Sequence, residues 1–374
     1  MARLNNPFVV YGYKGPEYFC DRVAESNKIC SALGNERNVT LVSPRRMGKT
    51  GLIHHVFNRM ELEDNDCKCF YIDIFATKNT EQFVQTLASA VVGKLDNFSQ
   101  SALRKVQEFF SAWRPAVTFD QLTGLPTVTL DIKPSEGNES LKQIFEYMKM
   151  SGKRCYVAID EFQQIQNYSE SGLEALLRSY IQFLPNVYFI FSGSHQHMME
   201  EMFLSANRPF FQSSMVMSLG SIDIEEYRQF ANRMLEGQNR TIGQDTFQRI
   251  YDFAEGITWY IQAVLHGIYA HPDRTIDNTL VDDVVKELVE EQSSTFQNYC
   301  AWLTDNQYAL LKAIAYEKSV KSPLAQHFIH SHHLPATSSV KTALRTLEDK
   351  MLVSRSANDG YSVSDKLFAL WLLR

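Results

Sequence analysis

Apolar positions along this chain follow two periods. Asn38-Val-Thr-Leu-Val42 is a short β-prone run that stops at Ser43-Pro44. Beyond it Leu52, Ile53, Val56, Phe57 and Met60 share one face of a helix. Cys69–Phe75 predicts a second strand, and Phe83, Val84, Leu87, Val91 and Val92 predict a helix over Thr80–Leu95. Arg154–Ile159, apolar from Cys155 onward, and Val187–Phe191 read as strands buried on both faces, and Ser214–Leu219 alternates as a fifth strand. Helices are expected over 20–33, 141–150 and 173–184. Strands alternating with helices predict a parallel sheet covered by helices on both faces. Residues 114–135 break this rhythm with prolines, the turn pair Thr123-Gly124 and alternating Val128 and Leu130, which predicts an inserted β-hairpin.

After Gly220 the strand signal stops. From Ile224 to about Gln297 the chain reads as helix, broken at Gly237, Gly243, Gly256 and Pro272. From Thr304 shorter helices lead into a small β signature. Three parts are expected: an α/β domain over 1–220, a helical domain over 221–300 and a C-terminal domain over 301–374.

Composition narrows the picture. Hydrophobic residues make up 44% and aromatics 12% of the 374, enough for packed cores and against disorder. The net charge of −6 excludes a polycation, so nucleic-acid binding would need a local basic face. Six cysteines lack C-x-x-C spacing, and four lie in or beside apolar stretches, as small buried thiols do in a reducing compartment. No run approaches the roughly 18 apolar residues of a membrane span, and MARLNNPFVV has no signal-peptide core. A cytoplasmic protein without a membrane partner is expected.

The chemistry concentrates at strand ends. Ser43-Pro44-Arg45-Arg46-Met47-Gly48-Lys49-Thr50, followed by Gly51, matches the phosphate-binding pattern G-x-x-x-x-G-K-[ST] except for Ser43 at the first glycine. It follows a strand and opens a helix, whose first N–H groups would face an anion. Gly48 would let the backbone approach phosphate oxygens, Lys49 would reach the β- and γ-phosphates, and Thr50 would ligate Mg²⁺. A serine at the first position predicts an altered loop backbone, since glycine there supports an unusual angle. Cys155–Glu161 ends a buried strand on two carboxylates. Asp160 would hold Mg²⁺, and Glu161 would orient and deprotonate an attacking water. Ser192 and Ser194 end the next strand, where either could touch the γ-phosphate or that water. The order of these units predicts a strand inserted between the two that carry the site.

Phe19-Cys-Asp-Arg22-Val-Ala-Glu25, SPRRMGKT, AIDEFQQI and FSGS together resemble the archaeal-type AAA+/STAND P-loop ATPases, which are similar to origin-recognition ATPases. The resemblance covers nearly the whole chain. It implies a P-loop domain, a helical lid and a C-terminal winged helix, with ATP and Mg²⁺ as ligands. It also implies that Arg22 and Glu25 help hold the adenine end, with Phe8 packing near the base. Two departures stand out. The family's lid motif G-x-P reads Gly256-Ile257-Thr258 here, followed by Trp259 as a nucleotide contact. Its P-L-Y-G-R segment reads Pro209-Phe-Phe-Gln-Ser213, which leaves Arg208 as a candidate arginine finger and Arg45 and Arg46 as other cations. Absence of a finger implies slow turnover, since that group is worth about 10³–10⁵-fold.

Residues 304–374 carry nine Lys and Arg against six Asp and Glu, so this end is locally basic. Thr337-Ser338-Ser339 can cap a helix with Val340, Leu344 and Leu347 buried and Lys341 and Arg345 outside. Leu352-Val353, the Asn358-Asp-Gly360 turn and Tyr361–Val363 read as a wing hairpin. Ser338–Lys350 would be the recognition helix for duplex DNA, or the contact for a protein partner. Four histidines (His327, His330, His332, His333) read as a solvated loop.

The leading expectation is therefore an ATPase switch in which ATP closes the lid and hydrolysis releases it. The alternative is a DNA-binding regulator or adaptor with a structural nucleotide. Oligomeric state is open.

Overall fold

In the computed structural model, residues 4–95, 113–119, 126–132, 137–273, 275–356 and 360–374 are described. Along the chain come α1 (Val23–Gly34), β1 (Val39–Val42), α2 (Lys49–Glu63), β2 (Lys68–Asp73) and α3 (Thr80–Leu95). An antiparallel pair, β3 (Trp113–Phe119) and β4 (Pro126–Ile132), precedes α4 (Gly137–Met150). The turn pair Thr123-Gly124 lies outside the described residues. Then follow β5 (Cys155–Asp160), α5 (Leu173–Ile181), β6 (Val187–Gly193), α6 (Gln196–Leu204), β7 (Met215–Ser218) and α7 (Ile224–Leu235).

The central sheet has the order β2-β5-β6-β1-β7, with every pair parallel. β6 thus lies between β1 and β5, the inserted strand that the motif order predicts. Side chains alternate across it. Cys155, Val157 and Ile159 of β5 pack in the layer of α3, α4, α5 and α6, whereas Tyr156 and Ala158 pack with α1 and α2. This two-residue period, buried on both faces, is why the strands read as continuous apolar runs.

Two local departures from the periodicity have backbone causes. α1 starts at Val23 rather than Cys20, because Asp21 and Arg22 take left-handed φ values of 48° and 65°. α6 escapes a helical-face count because it is only nine residues long and buries just Met199, Met202 and Phe203.

The chain divides into two compact units. One comprises Val9–Phe230 with Ile257–Trp259; the other comprises Met1–Phe8, Ala231–Gly256 and Tyr260–Arg374. The second unit contains α8 (Gln244–Ala254), most of α9 (Thr258–Ala270), α10 (Asn278–Glu291) and α11 (Ser293–Ala301). These helices break near Gly237, Gly243, Gly256 and Pro272, as read from the sequence. It continues through α12 (Asp305–Glu317), α13 (Gln326–Ser331), α14 (Thr337–Asp349), the antiparallel pair β8 (Val353–Ser356) and β9 (Gly360–Val363), and α15 (Lys366–Leu372). Thr304 and Gln307 close a capping box on α12.

On α14, Val340, Leu344 and Leu347 are buried and Lys341 and Arg345 are exposed. Asn358 and Asp359 of the wing turn lie outside the described residues. Gly360 has φ 87°, and a Cβ there would meet Val320 O at 2.5 Å. Only glycine allows the Val320–Tyr361 backbone pair, with N–H···O distances of 2.8 and 2.9 Å, to hold the wing. His332, from the histidine cluster, lies 2.9 Å from Glu317. Among the described residues no helix is long and apolar enough to cross a membrane.

Candidate functional site

β1 is buried at every position and delivers Ser43, fully buried, to the C-terminal edge of the sheet. Ser43 has no left-handed φ, so serine here does not distort the loop as expected; those conformations fall at Arg46 (φ 68°) and Gly48 (φ 91°). A non-glycine in that region costs about 1–2 kcal/mol, and contacts around Arg46 hold it. Its carbonyl accepts from the Trp259 N–H at 3.0 Å, and its guanidinium lies 4.5 Å from the indole centre. The next carbonyl, Met47 O, accepts from Thr258 Oγ1 at 3.2 Å. Thr258 thus makes the loop contact although the family's proline is missing.

Pro44 and Arg45 are exposed, with Arg45 over the Phe75 ring at 5.7 Å. Lys49 opens α2 and is buried, its Nζ donating to Ser43 O at 2.9 Å and Pro44 O at 3.0 Å. Burial pulls the Lys49 ammonium below its usual pKa, while Glu161 and Asp160 push it back up. Gly51 follows, where a Cβ would stand 3.4 Å from the Phe19 ring.

Thr50 faces the other half of the site. Its Oγ1 donates to Asp160 Oδ2 at 2.9 Å, and Tyr71 OH donates to the same oxygen at 2.7 Å. Asp160 Oδ1 accepts from the Glu161 N–H at 3.0 Å. Asp160 is buried, and these donors satisfy its carboxylate oxygens. Burial, then the Asp160 charge, raises the Tyr71 phenol above its ordinary pKa.

At Glu161 the chain leaves β5 through a left-handed φ of 54°. The next residue anchors the turn: Phe162 is fully buried, with ring centroids 4.7 Å from Phe191 and 5.5 Å from Phe210. The Glu161 carboxylate, Oε2, accepts from Ser194 Oγ at 2.7 Å and from Gln163 Nε2. Ser192 is different. It lies within β6, is fully buried, and its hydroxyl has no hydrogen-bond partner among the described residues. Of the two serines, Ser194 is the one that meets Glu161.

The remaining candidates are spread more widely. Arg22 is buried, bonded to Glu25 Oε1 at 2.8 Å and to Gly220 O at 2.7 Å, with Met47 O at 3.5 Å. Its guanidinium thus lies between the loop that carries Met47 and the chain at Gly220. Phe8 belongs to the other unit, where it is buried edge-on to Tyr269 with ring centroids 6.0 Å apart. Arg208 is committed to ion pairs with Glu174 at 3.3 Å and Glu201 at 3.9 Å.

Sequence reasoning missed Tyr71, Gln163 and an aromatic group packed around His55 of α2. In that group Phe19 stacks on His55 at 4.4 Å, and Tyr13 OH lies 3.0 Å from His55 Nδ1. The available signal for Tyr71 was a hydroxyl-tipped ring within the apolar stretch Cys69–Ile72.

Residues 19–264 match the family described as "ATPase domain predominantly from Archaea", and residues 294–374 match one described as "Probable winged helix domain". An uncharacterized ATP-binding protein of Methanocaldococcus jannaschii is 24% identical over 293 residues, covering 72% of this chain and 75% of that protein. Among solved structures, a Walker-type ATPase of Pyrococcus abyssi superposes with a TM-score of 0.66 at 17% identity, covering 98% of this chain and 100% of that one. Aeropyrum pernix ORC1, solved in complex with DNA, gives 0.59 at 13% identity, covering 99% of this chain and 96% of that one. At such identities the structural likeness speaks to fold, and the sequence match to kinship. Matched by one family over residues 19–264 and built on the fold of these P-loop ATPases, the chain belongs to the family of ATPase domains found predominantly in Archaea.

Proposed function

We propose that this chain binds ATP with Mg²⁺ at the C-terminal edge of β1, β6 and β5, and hydrolyses it to ADP and phosphate as a conformational switch. One observation carries the reading. Thr50 reaches Asp160 at 2.9 Å while Ser194 reaches Glu161 at 2.7 Å, so the phosphate loop and both strand-end carboxylates converge on one mouth.

The residues fit a metal that arrives with its nucleotide. Thr50 and Asp160 are hard oxygen donors, and Mg²⁺ typically takes one or two protein ligands beside phosphates and water. Among the described residues no group of three or more His, Cys, Asp or Glu could hold a metal alone. When bound, Mg²⁺ would neutralise charge building on the phosphate oxygens.

The chain's own residues account for the rest. Lys49 exchanges its loop carbonyls for phosphate oxygens. The first N–H groups of α2 meet the same anion. Glu161 takes a proton from water as the water oxygen bonds to the γ-phosphorus and the bond to the β-phosphate oxygen breaks. Ser194 and Gln163 hold Glu161 in place. Thr258 and Trp259, bonded to the phosphate loop, continue directly into α9 and would carry its state onward.

Mg²⁺-dependent ATPase and nucleotide binding test the reading in wild type, Lys49→Ala and Glu161→Gln. Lys49→Ala is expected to lose ATP binding, and Glu161→Gln to bind ATP but turn over about 10²–10⁴-fold more slowly. Equal rates in wild type and Glu161→Gln would remove Glu161 from its role. Tight nucleotide retention with negligible wild-type turnover would favour the DNA-binding adaptor, for which exposed Lys341 and Arg345 on α14 speak.

A further inference from the structure

We propose that Tyr71 is a positioning residue of the nucleotide–metal site, its hydroxyl fixing the Asp160 carboxylate so that Thr50 and Asp160 act on one Mg²⁺. The inference rests on the ATPase reading above and adds a residue to it.

Asp160 accepts three hydrogen bonds, and each comes from a different element. The backbone N–H of Glu161 reaches Oδ1 at 3.0 Å; Thr50 of α2 and Tyr71 of β2 reach Oδ2 at 2.9 and 2.7 Å. Of these, the Glu161 N–H is adjacent in sequence and follows Asp160 wherever it turns. Thr50 donates its proton to Asp160 and has lone pairs left for a cation. Tyr71 donates from β2, an element that carries neither the phosphate loop nor Asp160, so it gives the carboxylate a fixed point outside both.

The fold makes this donor rigid. β2 pairs with β5 in the register Tyr71↔Ala158 and Asp73↔Asp160. The Tyr71 ring is backed by the His54 ring at 4.6 Å, and His54 lies one turn beyond Thr50 on α2. A ring with two torsions, held between a strand and a helix, presents its hydroxyl at little entropic cost. Residues that orient a metal-binding carboxylate in this way typically change metal affinity about 10–100-fold when removed.

The test is calorimetric ATP binding to the full chain with and without Mg²⁺, in wild type, Tyr71→Phe and His54→Ala. Tyr71→Phe keeps the ring and loses only the hydroxyl. ATP affinity without Mg²⁺ is expected to stay within about twofold, while the gain on adding Mg²⁺ falls about tenfold. His54→Ala, which keeps the hydroxyl, is expected to lose less than about threefold of that gain. A full Mg²⁺ gain in Tyr71→Phe overturns this inference alone. A tenfold loss in His54→Ala beside an undiminished gain in Tyr71→Phe would assign the effect to packing rather than to the hydroxyl. No Mg²⁺ gain in wild type overturns the ATPase reading and this inference with it.

Discussion

Thr50 Oγ1 donates to Asp160 Oδ2 across 2.9 Å, joining the first turn of α2 to the end of β5 over a separation of 110 residues. β6 lies between β1 and β5 in the sheet, so this bond spans a neighbouring strand end. Thr50→Val keeps the shape and removes the only group on α2 that meets Asp160 among the hydrogen bonds described. ATPase measured against Mg²⁺ concentration should fall about 100-fold, with ATP binding in the absence of Mg²⁺ retained. Full activity in Thr50→Val would take Thr50 out of the metal's coordination.

Ser192 and Ser194 are two residues apart and make opposite predictions. Ser194 donates to Glu161 at 2.7 Å, and a hydrogen bond to a charged group contributes about 1.5–3 kcal/mol. Losing part of that in the transition state should lower kcat about tenfold in Ser194→Ala and leave KM within about twofold. Fully buried, Ser192 offers its hydroxyl to no partner among the described residues. Ser192→Ala removes an unsatisfied polar atom and should leave kcat unchanged, with stability equal or higher by up to about 1 kcal/mol. Steady-state kinetics and thermal melts on the pair separate the two roles.

Arg208 should act on stability rather than on catalysis. It pairs with Glu174 at 3.3 Å, and both side chains are mostly buried. Burial holds the Glu174 carboxyl above its usual pKa, Arg208 pulls it down, and Glu201 pushes it up. A carboxyl raised in the folded state costs no stability below its unfolded pKa and costs most once pH has risen past the folded one. Arg208→Ala raises it further. The variant should lose about 1–3 kcal/mol at pH 7, and the deficit should shrink as pH falls toward about 4. Denaturant melts at the two pH values check this. ATPase should change less than threefold; a loss of about 10³-fold would mark Arg208 as a finger.

What the sequence made legible at this site is what lies close together along the chain. The loop from Ser43 to Thr50 follows a strand and opens a helix, so its placement at the sheet's edge follows from its spacing. Asp160 and Glu161 were readable because a run of buried residues ends on them. Tyr71 was not, because its contact with Asp160 crosses 89 residues and depends on β2 lying beside β5. The choice between Ser192 and Ser194 depended on where β6 ends, at Gly193, which places one hydroxyl inside and one beyond the strand. The contacts of Arg22 were not legible either. Its left-handed φ and its bond to Gly220 O, 198 residues away, belong to tertiary structure.

The outer face of α14 gives the last prediction. Lys341 and Arg345 are exposed one turn apart, while Val340, Leu344 and Leu347 point into the core, so reversing the two charges leaves packing intact. If this face meets duplex DNA through phosphates, each cation contributes about one unit to the dependence of log affinity on log salt. Lys341→Glu with Arg345→Glu should therefore reduce that slope by about two, and weaken binding to unrelated duplexes to a similar degree. Fluorescence anisotropy at several salt concentrations reads both. A slope and an affinity equal to wild type would mean that α14 does not face phosphates, and a winged helix with its basic turn idle would then be one that serves packing or a protein partner.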